Sequence, residues 1–185
     1  MRRANDPAER ASELGDVSPS AGSSEASQPS GMHDGTQDPL RAVHTAEHVL
    51  NAVMQRDFGT GRSVEVHFGE KKTKVDYCVP RSLGEDEVRG IERAVNAEIA
   101  KDHAVTSFVV PRAEAEGRYD LSKVPAAADP IRIVQIGDLD VIPCVGKHVD
   151  RTSKIGRFEI RSAEMRGDDR IRIRFRLLDR PKGAA

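Results

Sequence analysis

Two pairs of metal-binding residue types stand far apart in the sequence and share the same internal spacing. Three residues separate His44 from His48, and three separate Cys144 from His148. On a helix, residues four positions apart lie on one face, with Cβ atoms about 5–6 Å from each other. Three imidazoles and one thiolate form a borderline-soft donor set that favours zinc in tetrahedral coordination. The spacing therefore predicts one zinc site built from two distant segments.

The number of protein donors leaves the role of this predicted metal open. Histidine pairs at this spacing also occur in cores and on exposed surfaces, although two such pairs in one chain favour a metal site. Four protein ligands would close a structural zinc site, whereas a catalytic zinc usually keeps one position for water or substrate. A catalytic site here requires either expansion to five ligands or the release of one protein ligand, and both possibilities fit the sequence.

Composition separates an acidic amino-terminal segment from a mildly basic remainder. Residues 1–39 hold seven acidic residues, three basic residues, seven serines and no aromatic residue, which predicts a disordered tail. Residues 40–180 are predicted to form one folded domain, followed by a flexible carboxyl terminus over residues 181–185. Residues 146–180 hold eleven lysines and arginines against six acidic residues, an excess that suits either phosphate binding or a solvated surface.

Cysteine usage and hydropathy bear on the compartment of the protein. The chain holds two cysteines in unlike surroundings, which argues against a disulfide framework. Its first residues are polar and charged, without the apolar run of a secretory signal. No apolar run approaches the ~20 residues that span a bilayer. These features predict a cytoplasmic protein without a membrane partner.

Two helices are expected from the hydrophobic periodicity. The first is predicted over residues 40–57, with Asp38 as its N-cap, and it places the first histidine pair beside an apolar stripe. The second is predicted to begin near Ser82, which forms a capping-box pattern with Glu85. Both helices are long enough to pack against a sheet.

Strands are expected in several places around these helices. A hairpin between them carries Glu65 and His67 on the polar face of its first arm. Further strands are predicted around residues 104–110 and 131–136, and over 170–178, where apolar residues alternate with arginines. The cysteine pair then falls on a loop or short turn at a strand end. Together the elements predict an α+β fold with a mainly antiparallel sheet packed against helices.

The residues around both pairs match the motifs of a known protein family. Residues 44–48, His-Thr-Ala-Glu-His, are similar to the motif His-Thr/Ser-Ala-x-His. Residues 144–149, Cys-Val-Gly-Lys-His-Val, are similar to Cys-Gly-Gly-Thr-His-Val, and Thr-x-x-Ile-Gly follows at residues 152–156. The chain thus resembles the editing domain shared by alanyl-tRNA synthetases and the free-standing AlaX proteins, from about residue 40 to residue 178. It is most similar to the short AlaX form.

The resemblance implies a fold, an activity and a set of metal ligands. The fold is the editing-domain fold of alanyl- and threonyl-tRNA synthetases. The activity is that of a zinc-dependent aminoacyl-tRNA deacylase, which hydrolyses the ester of mischarged tRNA in trans. The usual target is serine on alanine tRNA, and relatives act on other hydroxy amino acids such as threonine or fluorothreonine. The implied zinc ligands are His44, His48, Cys144 and His148.

Other residues near the motifs are candidates for contacts with the substrate. Glu65, His67 and Thr45 are the predicted catalytic residues. Glu65 and His67 are predicted to position water or the substrate amine, and Thr45 matches the family's helix motif. The chain departs from the family at Val145, where glycine is typical, and at Lys147, where threonine is typical, so these two positions bear on specificity. The basic residues predicted to contact phosphates of the tRNA acceptor stem are Lys147, Lys154, Arg157, Arg172 and Arg174.

Two other functions fit parts of the same sequence. Residues 44–48 also match His-x-x-Glu-His, the metal motif of inverzincin proteases, in which Glu47 would be the general base. That class needs a distant acidic ligand and gives no role to the cysteine pair. The other possibility is a non-catalytic domain that keeps zinc for folding and binds tRNA without hydrolysing its ester. The departures at Val145 and Lys147 keep this possibility open.

Overall fold

The computed structural model describes residues 39–69, 72–167 and 169–178. In chain order their elements are α1 (Pro39–Phe58), β1 (Glu65–His67), β2 (Thr73–Cys78), α2 (Glu85–Ala100), β3 (Val105–Val110), α3 (Arg112–Ala115), β4 (Ile131–Ile136), β5 (Asp140–Pro143), a 3₁₀ helix (Thr152–Ile155), β6 (Arg157–Met165) and β7 (Arg170–Leu178). None of the helices in these ranges combines the length and the apolar composition that crossing a bilayer requires. Apart from Pro39, the predicted tail lies outside the described residues, as does the predicted flexible carboxyl terminus.

Helix α1 confirms the first predicted helix almost to the residue. It ends at Phe58, and Gly59 follows with a φ of +62° and an N–H that donates to the Gln55 carbonyl at 3.1 Å. Glycine suits this position because it adopts positive φ without steric strain. The predicted N-cap Asp38 lies outside the described residues. The apolar stripe of the helix is buried and consists of Val43, Ala46, Leu50, Val53 and Met54.

Two antiparallel sheets accompany the helices. One has the strand order β1-β2-β7-β6, and the other has the order β3-β4-β5. In β7, Ile171, Ile173 and Phe175 are buried while the intervening arginines lie on the opposite face, as the alternation predicts. These elements confirm the α+β class and the antiparallel pairing. The strands form two separate sheets, whereas the sequence predicted one.

The main apolar core joins both long helices to the four-stranded sheet. It contains Leu50 of α1, Ile91 of α2, Tyr77 of β2 and Phe175 of β7, all fully buried. Burial of a large apolar side chain stabilises a fold by about 1.5–3 kcal/mol. A smaller cluster packs α3 against β4. Because α1 is packed into the main core along its length, the histidines that it carries have fixed positions.

The start of helix α2 differs from the prediction. The helix begins at Glu85, with Gly84 as its N-cap, so the capping box predicted from Ser82 and Glu85 is wrong. Glu87 takes that role, because its Oε2 atom accepts the Gly84 N–H at 2.9 Å. This glutamate stands at the third helical position, from which a side chain reaches back to the cap. It also pairs with Arg81 at 2.7 Å, which fixes the chain before the helix.

The bounds of strands β5 and β6 and of the short helix α3 were not predicted, although a strand end was expected before the cysteine pair. The register of β6 against β7 shifts between Ile160 and Ser162, which interrupts the alternation expected of a strand. Strand β5 has only four residues and pairs with β4, with Ile133 opposite Pro143. This pairing matters for the site, because Cys144 follows β5 directly.

Candidate metal centre

The two distant residue pairs meet in the structure. Helix α1 carries His44 and His48, and the loop after β5 carries Cys144 and His148. One potential ligand atom from each lies within 4.8 Å of those from the other three. The Cys144 Sγ is 3.5 Å from the Nε2 atoms of both His44 and His148. Donors bound to one tetrahedral zinc at about 2.0–2.3 Å lie about 3.3–3.8 Å apart, so this spacing fits a single ion.

Neighbouring groups fix the ring nitrogen that two of the histidines can offer to a metal. The Nδ1 atom of His48 is 3.1 Å from the Oδ2 atom of Asp140. A carboxylate only accepts hydrogen bonds, so Nδ1 of His48 carries the proton and its Nε2 atom is available as a ligand. The Nδ1 atom of His148 is 3.2 Å from the Thr45 hydroxyl. Its Nε2 atom is the one that faces the thiol of Cys144.

Thr45 holds His148 from a fully buried position. Its hydroxyl donates to the Arg41 carbonyl at 2.8 Å and accepts the Val149 N–H at 3.2 Å. Because the single hydroxyl hydrogen is given to Arg41, the contact with His148 is satisfied when the Nδ1 of that ring donates. The hydroxyl then has all its hydrogen bonds within the protein. This arrangement gives Thr45, a candidate for substrate contact, the role of orienting a ligand.

Asp140 supports the cluster and was not singled out in the sequence. It is buried, and it contacts both His48 and Arg62. Burial would raise the pKa of this carboxyl, but the hydrogen bonds from His48 and Arg62 hold its pKa below the ordinary value. Burial lowers the pKa of His48, but the hydrogen bonds to Asp140 and Cys144, together with the nearby carboxylate charges, outweigh it and raise this pKa to about 9. The sequence feature that could have identified Asp140 is its position, four residues before Cys144.

The thiol of Cys144 is ionised at neutral pH. Burial opposes its ionisation, but hydrogen bonds from His148, His44 and His48 outweigh burial and lower its pKa to about 3. Burial lowers the pKa of His148, which favours its neutral imidazole. Thiolate and neutral imidazole are the forms that bind metal ions. The electrostatics of Cys144 and His148 therefore agree with their geometry, whereas His48 has to lose a proton when a metal binds.

The turn that carries Cys144 is shaped by its contacts with the cluster. A Cβ atom at Gly146 would lie 1.8 Å from Cε1 of His44, so this position requires glycine. Arg132 holds the turn through Nη1, which donates to the carbonyls of Cys144 at 2.7 Å and Gly146 at 2.9 Å. Val145, in contrast, is 93% exposed. The turn thus accepts a large residue at position 145 but not at position 146.

The predicted substrate-contact residues Glu65 and His67 lie on the exposed side of β1. Their side chains approach each other at 3.5 Å, and Glu65 lies 3.7 Å from Arg172 on β7. The residue of this segment that packs on the cluster is Phe68, whose ring centroid is 4.9 Å from that of His44. Phe68 was not predicted as a site residue, although it immediately follows His67.

Three cavities adjoin the cluster among the described residues, and two of them are lined by the turn after β5. The first, here called the apolar cavity, has a volume of about 460 Å³ and borders His44 and Cys144. Its apolar walls include Val124, Pro125, Ile131 and Pro143. The second, here called the basic cavity, has a volume of about 430 Å³ and borders His148. Its basic lining residues are Arg41, Arg132, Lys147 and Lys154.

The five basic residues predicted to contact tRNA fall into two places. Lys147 and Lys154 line the basic cavity beside the cluster. Arg172 and Arg174 lie on β7, where both form cross-strand ion pairs, and Arg157 is the first residue of β6. The structure therefore brings two of the five residues to the metal site and places three on the four-stranded sheet.

Comparison with known proteins agrees with this architecture. Residues 131–174 match the family described as the threonyl and alanyl tRNA synthetase second additional domain. The chain is 33% identical over 143 residues to the alanine–tRNA ligase of Ignicoccus hospitalis. It is 28% identical over 151 residues to the alanyl-tRNA editing protein AlaX-M of Methanosarcina mazei. The chain belongs to the editing-domain family of alanyl-tRNA synthetases and AlaX proteins.

The similarity covers most of this chain but only part of each relative. The two alignments span 74% and 76% of the chain. They span 16% of the ligase and 57% of AlaX-M. The chain thus spans about one sixth of the length of the ligase and just over half that of the editing protein.

Family membership and geometry together disfavour the inverzincin interpretation. Glu47 is buried, and its Oε1 atom accepts hydrogen bonds from Asn51 at 2.6 Å and from Ser63 at 2.8 Å. Tyr77 donates to the same Asn51 side chain at 2.9 Å, so Glu47 belongs to a structural network. Among the described residues, the group that could bind a metal consists of His44, His48, Cys144 and His148. It contains no acidic ligand, which an inverzincin site would require.

Proposed function

We propose that this chain is a zinc-dependent aminoacyl-tRNA deacylase that hydrolyses the ester of mischarged tRNA in trans. The observation that supports the proposal is the convergence of His44, His48, Cys144 and His148 on one point, beside two cavities and within an editing-domain fold. Relatives include a protein named as an alanyl-tRNA editing protein. The tRNA partner is part of this proposal.

The four donors suit zinc by their chemistry as well as by their spacing. Nitrogen from three imidazoles and sulfur from one thiolate make a set that zinc accepts readily. When bound there, zinc supplies Lewis acidity, which polarises a carbonyl or lowers the pKa of water. The chain's own contribution is to hold the donors, because Thr45 orients His148, Asp140 orients His48, and Arg132 holds the turn of Cys144.

The proposed reaction is hydrolysis of an ester on the terminal ribose. Water adds to the acyl carbon, the bond between that carbon and the ribose oxygen breaks, and the ribose oxygen takes up a proton. The products are a free amino acid and uncharged tRNA. We propose serine on alanine tRNA as the substrate, with threonine and fluorothreonine as related candidates. Glu65 and His67 are retained as proposed positioning groups for water or the amine.

The decisive experiment measures ester loss from purified full-length protein. Seryl-, alanyl-, glycyl- and threonyl-tRNA are each incubated with the protein, with a generic peptide as the control for protease activity. We expect loss of an aminoacyl ester, its abolition by a chelator, and its recovery on addition of zinc. Metal analysis of the same samples should give one zinc per chain.

A matched cysteine pair controls for the substitution itself. Cys78 is exposed on β2, whereas Cys144 belongs to the cluster. Cys144→Ala should abolish both zinc binding and ester loss, and Cys78→Ala should preserve both. Ester loss that is unchanged in Cys144→Ala would refute the proposal. Peptide cleavage without ester loss would do so as well, in favour of a protease.

A second candidate function follows from the number of donors. Four protein ligands are also the number found in structural zinc sites. Under this alternative the chain is a zinc-stabilised domain that binds tRNA without hydrolysing it. Zinc binding and tRNA binding without ester loss, for all four aminoacyl-tRNAs, would favour this alternative over the deacylase.

A further inference from the structure

The basic cavity contains cationic side chains that no carboxylate neutralises. Among the described residues, Arg41 and Lys147 have no ion-pair partner, and the Nη1 atom of Arg132 donates only to backbone carbonyls. The remaining cation, Lys154, pairs with Asp150 at 2.8 Å. The cavity therefore keeps an excess of positive charge next to His148, which favours an anionic ligand.

Arg41 gives a second, independent indication of an anion. Its Nε atom is shut off from solvent and has no hydrogen-bond partner among the described residues. Buried donors in folded proteins are almost always satisfied, so a donor of this kind requires an explanation. A shift of the side chain that brings this donor to an anion in the cavity would provide one.

The position of Arg41 in its helix points the same way. It lies in the first turn of α1, which contains no acidic residue. The amino-terminal end of a helix carries partial positive charge, so an anion is stabilised there and a cation is not. Arg41 therefore contributes little to the stability of α1. Its charge, the helix end and Lys147 all favour the same kind of ligand.

We propose that the basic cavity binds the phosphodiester nearest to the 3′ end of the RNA substrate. This proposal rests on the proposed function, because the terminal ribose carries both the ester and this phosphodiester. Arg41 and Lys147 contact the phosphate, and the ester on the same ribose is thereby held at the metal centre beside His148. Contacts of this kind give affinity and position without reading base sequence.

The test measures binding of uncharged RNA, which does not depend on hydrolysis. The full-length protein is titrated against an RNA minihelix ending in CCA, at several salt concentrations. Arg41→Gln and Lys147→Gln should each weaken binding about tenfold. Each should also reduce the slope of log affinity against log salt by about 0.7, the value for one contact to a single strand. The melting temperature of Arg41→Gln should be unchanged or higher, which separates lost binding from lost folding.

Two control variants remove an arginine elsewhere. Arg89 is exposed on α2 and pairs with Glu85 and Asp86. Arg89→Gln changes the net charge by the same amount and should leave binding unchanged. Arg174→Gln removes a paired arginine from β7 and should have at most a twofold effect. Loss in Arg174→Gln equal to that in Lys147→Gln would overturn the proposal.

A change in the RNA identifies the phosphate. Replacing the last phosphodiester by an uncharged methylphosphonate should weaken binding to the wild type about tenfold. The same replacement should have little further effect on Arg41→Gln or Lys147→Gln, because protein and RNA changes remove one shared contact. Fully additive effects would overturn the assignment. Non-additive binding in a protein that hydrolyses no ester would support this site while refuting the deacylase.

Discussion

The basic cavity and the arginine row of β7 both carry several cationic side chains, yet their surroundings differ. In the row, Arg172 lies 2.7 Å from Asp76, Arg174 lies 2.5 Å from Glu164, and Arg176 pairs with Glu159. In the cavity, Arg41 and Lys147 have no acidic partner among the described residues. Charge in the row holds neighbouring strands together, whereas charge in the cavity is available to a ligand.

This difference shows that the number of arginines in a segment does not measure its capacity to bind phosphate. A cation with a carboxylate beside it must lose that partner before it gains a phosphate. The strongest sequence signal came from the four alternating arginines of β7, and three of them, Arg172, Arg174 and Arg176, are already paired. If the row is structural and the cavity functional, substitutions in the row should lower stability and substitutions in the cavity should weaken RNA binding.

The largest expected effect is loss of stability in the row. Asp76 is buried, and Arg172→Gln would remove its guanidinium partner. The Asp76 carboxylate would then lose its two hydrogen bonds from the guanidinium while it stays shielded from solvent, so the midpoint of urea unfolding should fall. The double variant Arg172→Gln with Asp76→Asn should recover part of the loss. A single variant as stable as wild type would show that the row is not structural.

The same pair should make stability depend on pH in acid. The hydrogen bond from Arg172 holds the pKa of Asp76 below its ordinary value. A lowered carboxyl pKa stabilises the fold above the unfolded value of about 3.9, and this contribution is lost as the pH falls through the folded value. Urea unfolding between pH 6 and pH 2 should show a smaller acid-induced loss in Asp76→Asn than in wild type. An equal acid-induced loss of stability in wild type and Asp76→Asn would show that the pair of Asp76 and Arg172 is not the cause of the pH dependence.

An intermediate effect is expected on deacylation when the cavity loses an unpaired cation. Lys147→Gln should raise KM for aminoacyl-tRNA about tenfold and leave kcat nearly unchanged, because the contact positions RNA rather than the reacting bond. Lys154→Gln is the matched control within the same cavity, since Lys154 already pairs with Asp150. Its KM should change no more than about threefold. Equal changes in KM for Lys147→Gln and Lys154→Gln would show that an ion-pair partner does not determine whether a lysine of the cavity binds RNA.

A small gain in stability is expected at the mouth of the cavity. Arg41→Gln removes a cation from the amino-terminal turn of α1. The free energy of unfolding should rise by about 0.3–1 kcal/mol at low salt, and the gain should shrink as salt screens the helix dipole. The measurement is urea unfolding at two ionic strengths. A loss of stability would indicate that Arg41 serves the fold.

The smallest effect is expected on the exposed side of β1. Glu65 and His67 contact each other there, and Glu65 approaches Arg172. Their separate replacement by glutamine should change stability by no more than about 0.5 kcal/mol. The same two variants test whether Glu65 and His67 position water or the substrate amine. If they do, kcat should fall at least about tenfold in each variant. Single-turnover deacylation of seryl-tRNA measures this.

Sequence periodicity predicted the elements that have one clear face. Strand β7 was predicted to the residue because buried and polar positions alternate along it, and α1 almost to the residue because its apolar residues recur at helical spacing. Strand β6 was missed because its register shift breaks the alternation, and β5 because four residues give no period. The start of α2 was misplaced because glycine, which has no side chain to reveal a cap, occupies the N-cap.

The sequence predicted the members of the metal cluster but not the residues that support it. Residue type and spacing identified His44, His48, Cys144 and His148, and the structure brings them together. The contact of Asp140 with His48 depends on how β5 lies against α1, which no local pattern encodes. The pairing of each arginine likewise depends on its cross-strand neighbour, so available and neutralised cations look the same in the sequence.

The four donors come from α1 and from the segment after β5, which are remote in the sequence. An ion held by all of them ties these segments together, and its binding free energy adds to the stability of the folded chain. Zinc starvation would then lower the amount of protein through proteolysis, in addition to stopping the proposed hydrolysis. Cellular metal supply would set how many copies survive to act.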